Sequence, residues 1–434
     1  MPELPLEGIR VIGIENNWAG PHCTQLLGDL GAEVVKVESR YHWERVSRGA
    51  LARPSKLLLD NMPAWQGGYP NGEPGQRPWN RPPAYNRCLA SKRSMTVDMT
   101  RPEGLEIFKR LVMITDVVVE NNAYGVLEKL GITYEMLKEQ RPDIIYCRMP
   151  GFGKSGPYAQ RRALGTHIAA QTGDTLLRWY PEVDLMMSQM RFHSDTTGAL
   201  SAVFSVMAAL HHRRKTGEGQ LIEIGQAENV LPGYIQAIMD YTLNGREIAP
   251  TGNRDYYGHA PCGVYRCKGE DRWVAIHVTS EAQWKGLCRA MGGPAWTGEE
   301  RFSDGLCRFR NQDDLDPLIE EWTTVHDHYA LTYLLQKEGV PAGPVMDARD
   351  CYNDPHLKER DFFEPLTQED CGTHLYPTVP WKFTKTPLHL RLPPCRFGGD
   401  NEYVYKTLLG VNDEEYARLE EAGHIGMDFV PEIP

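Results

Sequence analysis

Ile9-Arg10-Val11-Ile12-Gly13-Ile14 and Ala32-Glu33-Val34-Val35-Lys36-Val37-Glu38 flank a segment that contains Pro21 and closes on Gly31. Both runs are short, apolar and rich in β-branched residues, so each reads as a strand. Proline is tolerated in a first helical turn, and glycine is common just past a helix end. The opening therefore predicts strand, helix, strand. A similar unit follows, with a helix over Pro102 to Ile114, a strand over Asp116 to Glu120, a helix over Tyr134 to Gln140 and a strand over Asp143 to Arg148. Strands alternating with helices predict an α/β fold with a parallel, Rossmann-like sheet. Ligands of such sheets gather at the carboxyl ends of the strands, which singles out the loops after Ile14, Glu38, Glu120 and Arg148.

At 434 residues the chain is too long for one ordinary core, and two or three domains are expected. It contains no run of apolar residues long enough to span a bilayer. The first residues, Met1-Pro2-Glu3-Leu4-Pro5, lack a basic region leading into an apolar core, so the expected compartment is the cytoplasm. Ten cysteines lie scattered without a Cys-x-x-Cys pair, which fits reduced thiols better than disulfides or a structural zinc site. His326-Asp327-His328 comes nearest to a metal pattern, but it has no third partner at ligand spacing and reads as solvated surface; no metal is expected. A formal net charge of -11 argues against nucleic acid as a partner. Any anionic ligand must be met by a local cluster of positive charge.

Between Tyr41 and Tyr85 the pattern dissolves into Pro, Gly, Arg and the aromatics Trp43, Trp65, Tyr69 and Trp79. A loop of that length is usually functional or disordered; its aromatics suggest an ordered cover over a site, and packing against a partner subunit would give the same pattern. Farther on, Lys215-Thr216-Gly217-Glu218-Gly219-Gln220 turns into a strand over Leu221 to Ile224, followed by a helix from about Glu228 to Leu243. Val264 to Cys267 and Trp273 to Val278 predict a hairpin, Ser280 a helix cap, and Gln312 to Glu338 long amphipathic helices. The expected layout is a large domain over 1–230, a linking helical region over 231–252, a smaller α+β domain over 253–357, and a segment over 358–434 that returns to the large domain.

His193-Ser194-Asp195-Thr196-Thr197-Gly198 precedes an almost uninterrupted apolar run from Ala199 to Leu210. It sets one carboxylate at the mouth of a buried helix, where the macrodipole favours the ionised form that a nucleophile needs. Helix capping alone would also explain an Asp there.

Several motifs coincide in order: Leu6-Glu7-Gly8-Ile9-Arg10-Val11, Ala19-Gly20-Pro21, Leu30-Gly31-Ala32-Glu33-Val34-Val35-Lys36-Val37-Glu38, Lys92-Arg93-Ser94, Val97-Asp98, Val119-Glu120-Asn121 and Gly125-Val126-Leu127. Gly151-Phe152-Gly153, Ser155-Gly156-Pro157-Tyr158, Asp195, Lys215 to Gln220, Gly339-Val340-Pro341-Ala342-Gly343-Pro344-Val345 and Asp354-Pro355-His356 complete the series. Together they resemble the class III coenzyme A transferases of the CaiB/BaiF type, which include formyl-CoA and carnitine CoA-transferases and the related α-methylacyl-CoA racemases. The resemblance covers nearly the whole chain.

The resemblance implies an interlocked homodimer, each chain a Rossmann-like CoA-binding domain and a small domain. It implies CoA transfer from an acyl-CoA donor to a carboxylic acid acceptor, with CoA thioesters as substrates and no tightly bound cofactor. Asp195 falls at the position of the family's nucleophilic aspartate. The positions matching CoA contacts are Asn16, Asn17 and Ala19 in the first loop, then Arg40, Lys92 and Arg93, then Asn121, Asn122, Val126 and Lys129. A loop that closes over the reacting carbonyl in several relatives corresponds to Tyr257 to Gly263, with Gly258, His259 and Gly263 as the candidate cover.

Two alternatives stay open. The racemase branch moves an α-proton with a His and an Asp; here Leu164 falls where that His would stand and His167 lies three residues later, which counts against racemisation, while an intramolecular CoA shift on one dicarboxylic acid stays open beside it. The chain could also be a non-catalytic subunit of a hetero-oligomer, although an intact Asp195 speaks against it.

Overall fold

A computed structural model describes residues 4–44, 47–61, 68–187 and 192–433. Trp65, read above as part of an aromatic cover, lies outside them. The chain forms two compact units: residues 1–172, 190–235 and 359–434 make the first, and residues 173–189 and 236–358 the second.

The first unit is built on a six-stranded sheet of β1 (Arg10–Ile14), β2 (Glu33–Glu38), β3 (Arg93–Thr96), β4 (Val117–Glu120), β5 (Ile145–Arg148) and β6 (Leu221–Glu223). All neighbours run parallel, in the order β3-β2-β1-β4-β5-β6. The order reverses between β1 and β4, so their following loops open a crevice at the carboxyl edge of the sheet. Side chains alternate between the two faces, as the period of a strand dictates. Ile12, Val35, Val37 and Val118 pack with Phe108 and Leu111 of the helix Pro102–Met113 on one face. Val11, Val34, Val117 and Val119 pack on the other face with helix α1 (Ala19–Asp29). Both faces are covered, which explains why these strands are uninterrupted apolar runs.

Helix α1 ends as the sequence predicts. Gly31 takes a φ of 116°, and its N–H and that of Ala32 bond back to the carbonyls of Gly28 and Leu27. A second short helix, α2 (Gly165–Gln171), precedes the long α3 (His193–Thr216), whose buried face consists of Ala199, Ala202, Val203, Val206 and Ala209. These small residues let α3 lie close against α1. At its far end Gly217, with φ at 78°, donates its N–H to the Arg213 carbonyl and stops the helix.

Several elements depart from expectation. The helix expected from Glu228 to Leu243 is broken into Gln226–Val230, a tight turn over Leu231–Tyr234, and Ile235–Asn244. Pro232 sits in the turn and has no N–H to continue the ladder. An antiparallel pair, Phe363–Gln368 with Gly372–Pro377, belongs to the first unit and was not foreseen, because Pro365 obscures the strand pattern. The aromatic segment is not a single loop: it contains the helices Lys56–Asn61 and Pro83–Leu89. Trp43 and Trp79 are not free to cover a site, since both pack edge-on against Phe429, beside Phe397.

The second unit carries a three-stranded antiparallel sheet of Cys262–Arg266, Trp273–His277 and Ala342–Val345. Val274 and Ile276 meet Trp284, Leu287, Leu315, Ile319, Leu331 and Leu335 from its helices. Ser280 caps the helix Glu281–Ala290, its hydroxyl accepting the Gln283 N–H at 3.3 Å. Among the described residues no helix is long and apolar enough to cross a membrane.

Candidate active site

The first loop and the loop after β4 are tied together across the crevice by side-chain amides. Asn16 donates its main-chain N–H to Asn121 Oδ1 at 2.8 Å and its Nδ2 to Asn122 Oδ1 at 2.7 Å. In return Asn121 Nδ2 donates to the Asn16 carbonyl at 2.7 Å, and Asn122 Nδ2 to the Ile14 carbonyl at 2.9 Å. The Asn122 N–H is held by Glu120, whose other carboxylate oxygen accepts from Arg148 at 2.8 Å. Burial pushes the Glu120 carboxyl up, against the lowering pull of Arg148. Gly20 makes this closeness possible: a Cβ there would fall 2.6 Å from Asn121 Oδ1. Three of the expected CoA residues are thus brought together, with Asn17 beside them at a φ of 60° and its carbonyl accepting from the Ser47 hydroxyl.

Asp195 reaches the same place from α3. It is the third residue of that helix, not its cap; Phe192 occupies the cap position, and the Trp18 ring stacks on it at 4.8 Å. The carboxylate is buried and accepts hydrogen bonds from the main-chain N–H of Ala19 and from the Ser194 hydroxyl. Burial nevertheless dominates and raises its pKa to about 6, so dipole and hydrogen bonds only partly offset desolvation. At neutral pH the group is still mainly ionised. Gly165, at the start of α2, leaves the space the carboxylate fills. Sequence reasoning did not single out Gly165; only the fold shows that α2 and α3 converge there.

The remaining candidates are spread more widely. Val126 and Lys129 are exposed around the short turn Glu128–Leu130 that follows β4. Arg40, beyond β2, donates to the carbonyls of Asp428 and Ile425 and so holds the C-terminal segment. Arg93 pairs with Asp400 at 2.9 Å, with its guanidinium 4.0 Å from the centre of the Tyr403 ring. Lys92 points inward, fully buried, and its ammonium is shared among Glu15 at 2.9 Å, the Pro21 carbonyl at 2.8 Å and the Thr24 hydroxyl at 2.6 Å. Burial raises the Glu15 carboxyl, but Lys92 and Lys36 outweigh it and hold it below its ordinary value. His167 Nδ1 accepts the Leu164 N–H at 3.1 Å, the part of a capping histidine.

Within the second unit His259 Nδ1 lies 2.5 Å from Asp255 Oδ2, and the His277 ring stands 5.9 Å from that of His259. These three side chains present ligand atoms close enough to hold a metal ion. The four-residue spacing of Asp255 and His259 was visible in the sequence, whereas His277 arrives from a strand. Gly258, at a φ of 83°, and Gly263 flank this cluster. Of His326-Asp327-His328, expected as solvated surface, Asp327 is exposed and His326 half-buried, but His328 is not at the surface. Asp327 caps the helix His328–Lys337, accepting from the N–H of Tyr329 and Ala330, and His328 is buried.

The model of CoA-transferase family III matches residues 6–401. The chain belongs to that family. This family III member is 30% identical over 425 residues to a succinyl-CoA–D-citramalate CoA-transferase from Chloroflexus aurantiacus, covering 96% of this chain and 98% of the relative. The alpha subunit of a succinyl-CoA–L-malate CoA-transferase from the same organism is 30% identical over 421 residues, covering 96% and 92%. Among solved structures, a CaiB/BaiF family protein from Brucella suis superposes with a TM-score of 0.77 at 28% identity, over 94% of this chain and all of that one. The α/β architecture with its six-stranded parallel sheet is therefore that of a class III CoA-transferase.

Proposed function

We propose that this chain transfers coenzyme A from an acyl-CoA thioester to a carboxylic acid, with Asp195 as the covalent relay. One observation carries the reading: a buried carboxylate that accepts the Ala19 N–H lies at the start of α3, against the loop at the switch point of the sheet. An Asp195 oxygen attacks the thioester carbonyl, the C–S bond breaks, and a mixed anhydride forms with release of CoA thiolate. The thiolate then attacks the aspartyl carbonyl, expelling the donor acid and leaving an aspartyl-CoA thioester. The acceptor carboxylate attacks that carbonyl, again freeing thiolate, which takes the acceptor acyl group and returns Asp195 to its carboxylate. Ala19 N–H holds the nucleophile and steadies the oxyanion that forms on the aspartyl carbonyl.

CoA lies along the crevice, against Asn16, Asn17, Ala19, Asn121 and Asn122, with Val126 and Lys129 toward its nucleotide end and Arg40 and Arg93 near the neighbouring strands. Lys92 acts from beneath, by fixing Glu15 under the first loop. The stretch containing Gly258, His259 and Gly263 serves as a cover. A homodimer, interlocked as in the family, is supported by exposed apolar surface: Phe204 on α3 is 76% exposed, and the helix Ile235–Asn244 has no buried residue. The main-chain N–H that His167 Nδ1 accepts supports a capping role for this histidine over that of a racemase's proton-moving group.

Incubating the purified chain with an acyl-CoA and hydroxylamine should convert Asp195 to its hydroxamate, detectable by peptide mass spectrometry. An Asp195→Ala protein that keeps the wild-type transfer rate would end the proposal. In deuterium oxide, α-proton exchange without a second acid would instead point to racemisation.

A further inference from the structure

Asp255, His259 and His277 take no part in the chemical steps above, yet they converge at the end of the strand Trp273–His277 in the second unit. One ligand atom from each lies within 4.8 Å of the other two. His277 is fixed by the sheet: its main-chain N–H donates to the Pro341 carbonyl at 3.1 Å, and its neighbour across the ladder is Cys262. Asp255 and His259 come from the loop that leads into that neighbouring strand. The Asp255 side chain, only 10% exposed, accepts hydrogen bonds from the His259 main-chain N–H at 3.2 Å and from its ring Nδ1 at 2.5 Å. The loop is thus folded around its carboxylate, and Gly258, at a φ of 83°, lets the chain turn between the two residues. Hydrogen bonding accounts for Asp255 and His259. It does not account for His277, whose ring stands edge-on to that of His259 at 5.9 Å and has no hydrogen-bond partner among the described residues.

We infer that Asp255, His259 and His277 form a site for a divalent transition-metal ion of the zinc type, which clips this loop onto the sheet. Two imidazoles and one carboxylate are a recurrent donor set for such ions, whereas magnesium and calcium take oxygen ligands. The charge fits as well: two neutral rings and an ionised carboxylate bring one negative charge to the cation. Bonds of about 2.1 Å need ligand atoms roughly 3.3 Å apart, which small side-chain torsions reach from the present spacing. The ion takes the place of the hydrogen between His259 Nδ1 and Asp255 Oδ2, the ring keeps its proton on Nε2, and water completes the coordination. This departs from the sequence reading of no metal, in which a third ligand arriving from a strand was not visible. The site stands independently of Asp195 as the relay.

The test titrates full-length, tag-free protein, stripped with EDTA and desalted, with CoCl2 while its visible absorption is followed. One Co2+ per chain should bind, be displaced by ZnCl2 and be unaffected by excess MgCl2. His277→Ala, at an exposed strand end, and Asp255→Asn should each weaken Co2+ binding at least about tenfold, and His326→Ala should not. Far-ultraviolet circular dichroism checks that each variant is folded. Tyr256 and Tyr257 are exposed between two of the ligands, so chymotrypsin nicking after them reports on the loop. ZnCl2 should slow that nicking about threefold or more in the wild type and leave it unchanged in His277→Ala. Equal Co2+ affinity in the wild type and a folded His277→Ala or Asp255→Asn protein overturns the site. Nicking that ZnCl2 does not slow, or a Co2+ signal lost in His326→Ala instead, overturns it equally.

Discussion

Gly165 stands so close to Asp195 that a Cβ in its place would lie 2.2 Å from the carboxylate Oδ2 and 3.0 Å from the Ser194 hydroxyl. No side-chain carbon is tolerated at such a distance, so the absence of one at position 165 is a condition for the carboxylate to sit against Ala19.

Gly165→Ala should therefore displace the carboxylate without unfolding the chain, because the residue starts a short helix and its φ is ordinary. We expect transfer activity to fall about a hundredfold, the scale of a displacement of one ångström at a reacting group. Thermal unfolding of the variant should stay near that of the wild type; a full-rate Gly165→Ala protein would contradict the assigned geometry.

Because burial lifts the Asp195 carboxyl from 3.8 to about 6, the acid limb of kcat/KM should bend near pH 6 rather than near pH 4. The sign for stability is opposite to that of a salt-bridged carboxylate. A folded-state value above the unfolded one means that the charged form is penalised in the fold, fully so above pH 6 and not at all below 3.8. Asp195→Asn should then stabilise the protein at neutral pH by up to about 3 kcal/mol, an advantage that shrinks as the pH falls through that window. Denaturant unfolding at several pH values measures it.

Lys92→Met removes the cation beside Glu15, a buried pair with no solvent access. Leaving a buried carboxylate with only the Thr24 hydroxyl and the more distant charge of Lys36 should cost about 3 kcal/mol, seen as a lower denaturant midpoint. Loss of substrate affinity alone, with stability unchanged, is the outcome that would count against an inward structural role.

Lys129 offers the reverse case. It is exposed, so Lys129→Ala should leave stability within about 0.5 kcal/mol. Its KM for acyl-CoA should rise several-fold, less so at high salt, with kcat unchanged.

The residues themselves explain which of these features could be read beforehand. Strands β1 and β2 were legible because Val11, Ile12, Val34 and Val35 must bury both faces of a sheet covered on each side. The strand Ala342–Val345 was not, since Gly343 and Pro344 carry the signature of a turn and pair only because the neighbouring strand Trp273–His277 supplies the register. Asn16 and Asn121 could be named from the family resemblance, yet their mutual hydrogen bonds depend on β1 and β4 being adjacent, a property of topology. Lys92 shows the converse: in sequence it is one of two neighbouring cations, and only Glu15, 77 positions away, decides that it turns inside. Nor does a helix start alone reveal that desolvation will outweigh the dipole at Asp195.

The lattice of amides joining Asn16, Asn121 and Asn122 has a thermodynamic corollary for catalysis. Its donors and acceptors are matched to one another before any substrate arrives, so the edge of the crevice is rigid while still empty. With CoA docked there as proposed, little ordering of the loops would remain to oppose association, and the favourable contacts of the distant nucleotide could be directed toward aligning the thioester.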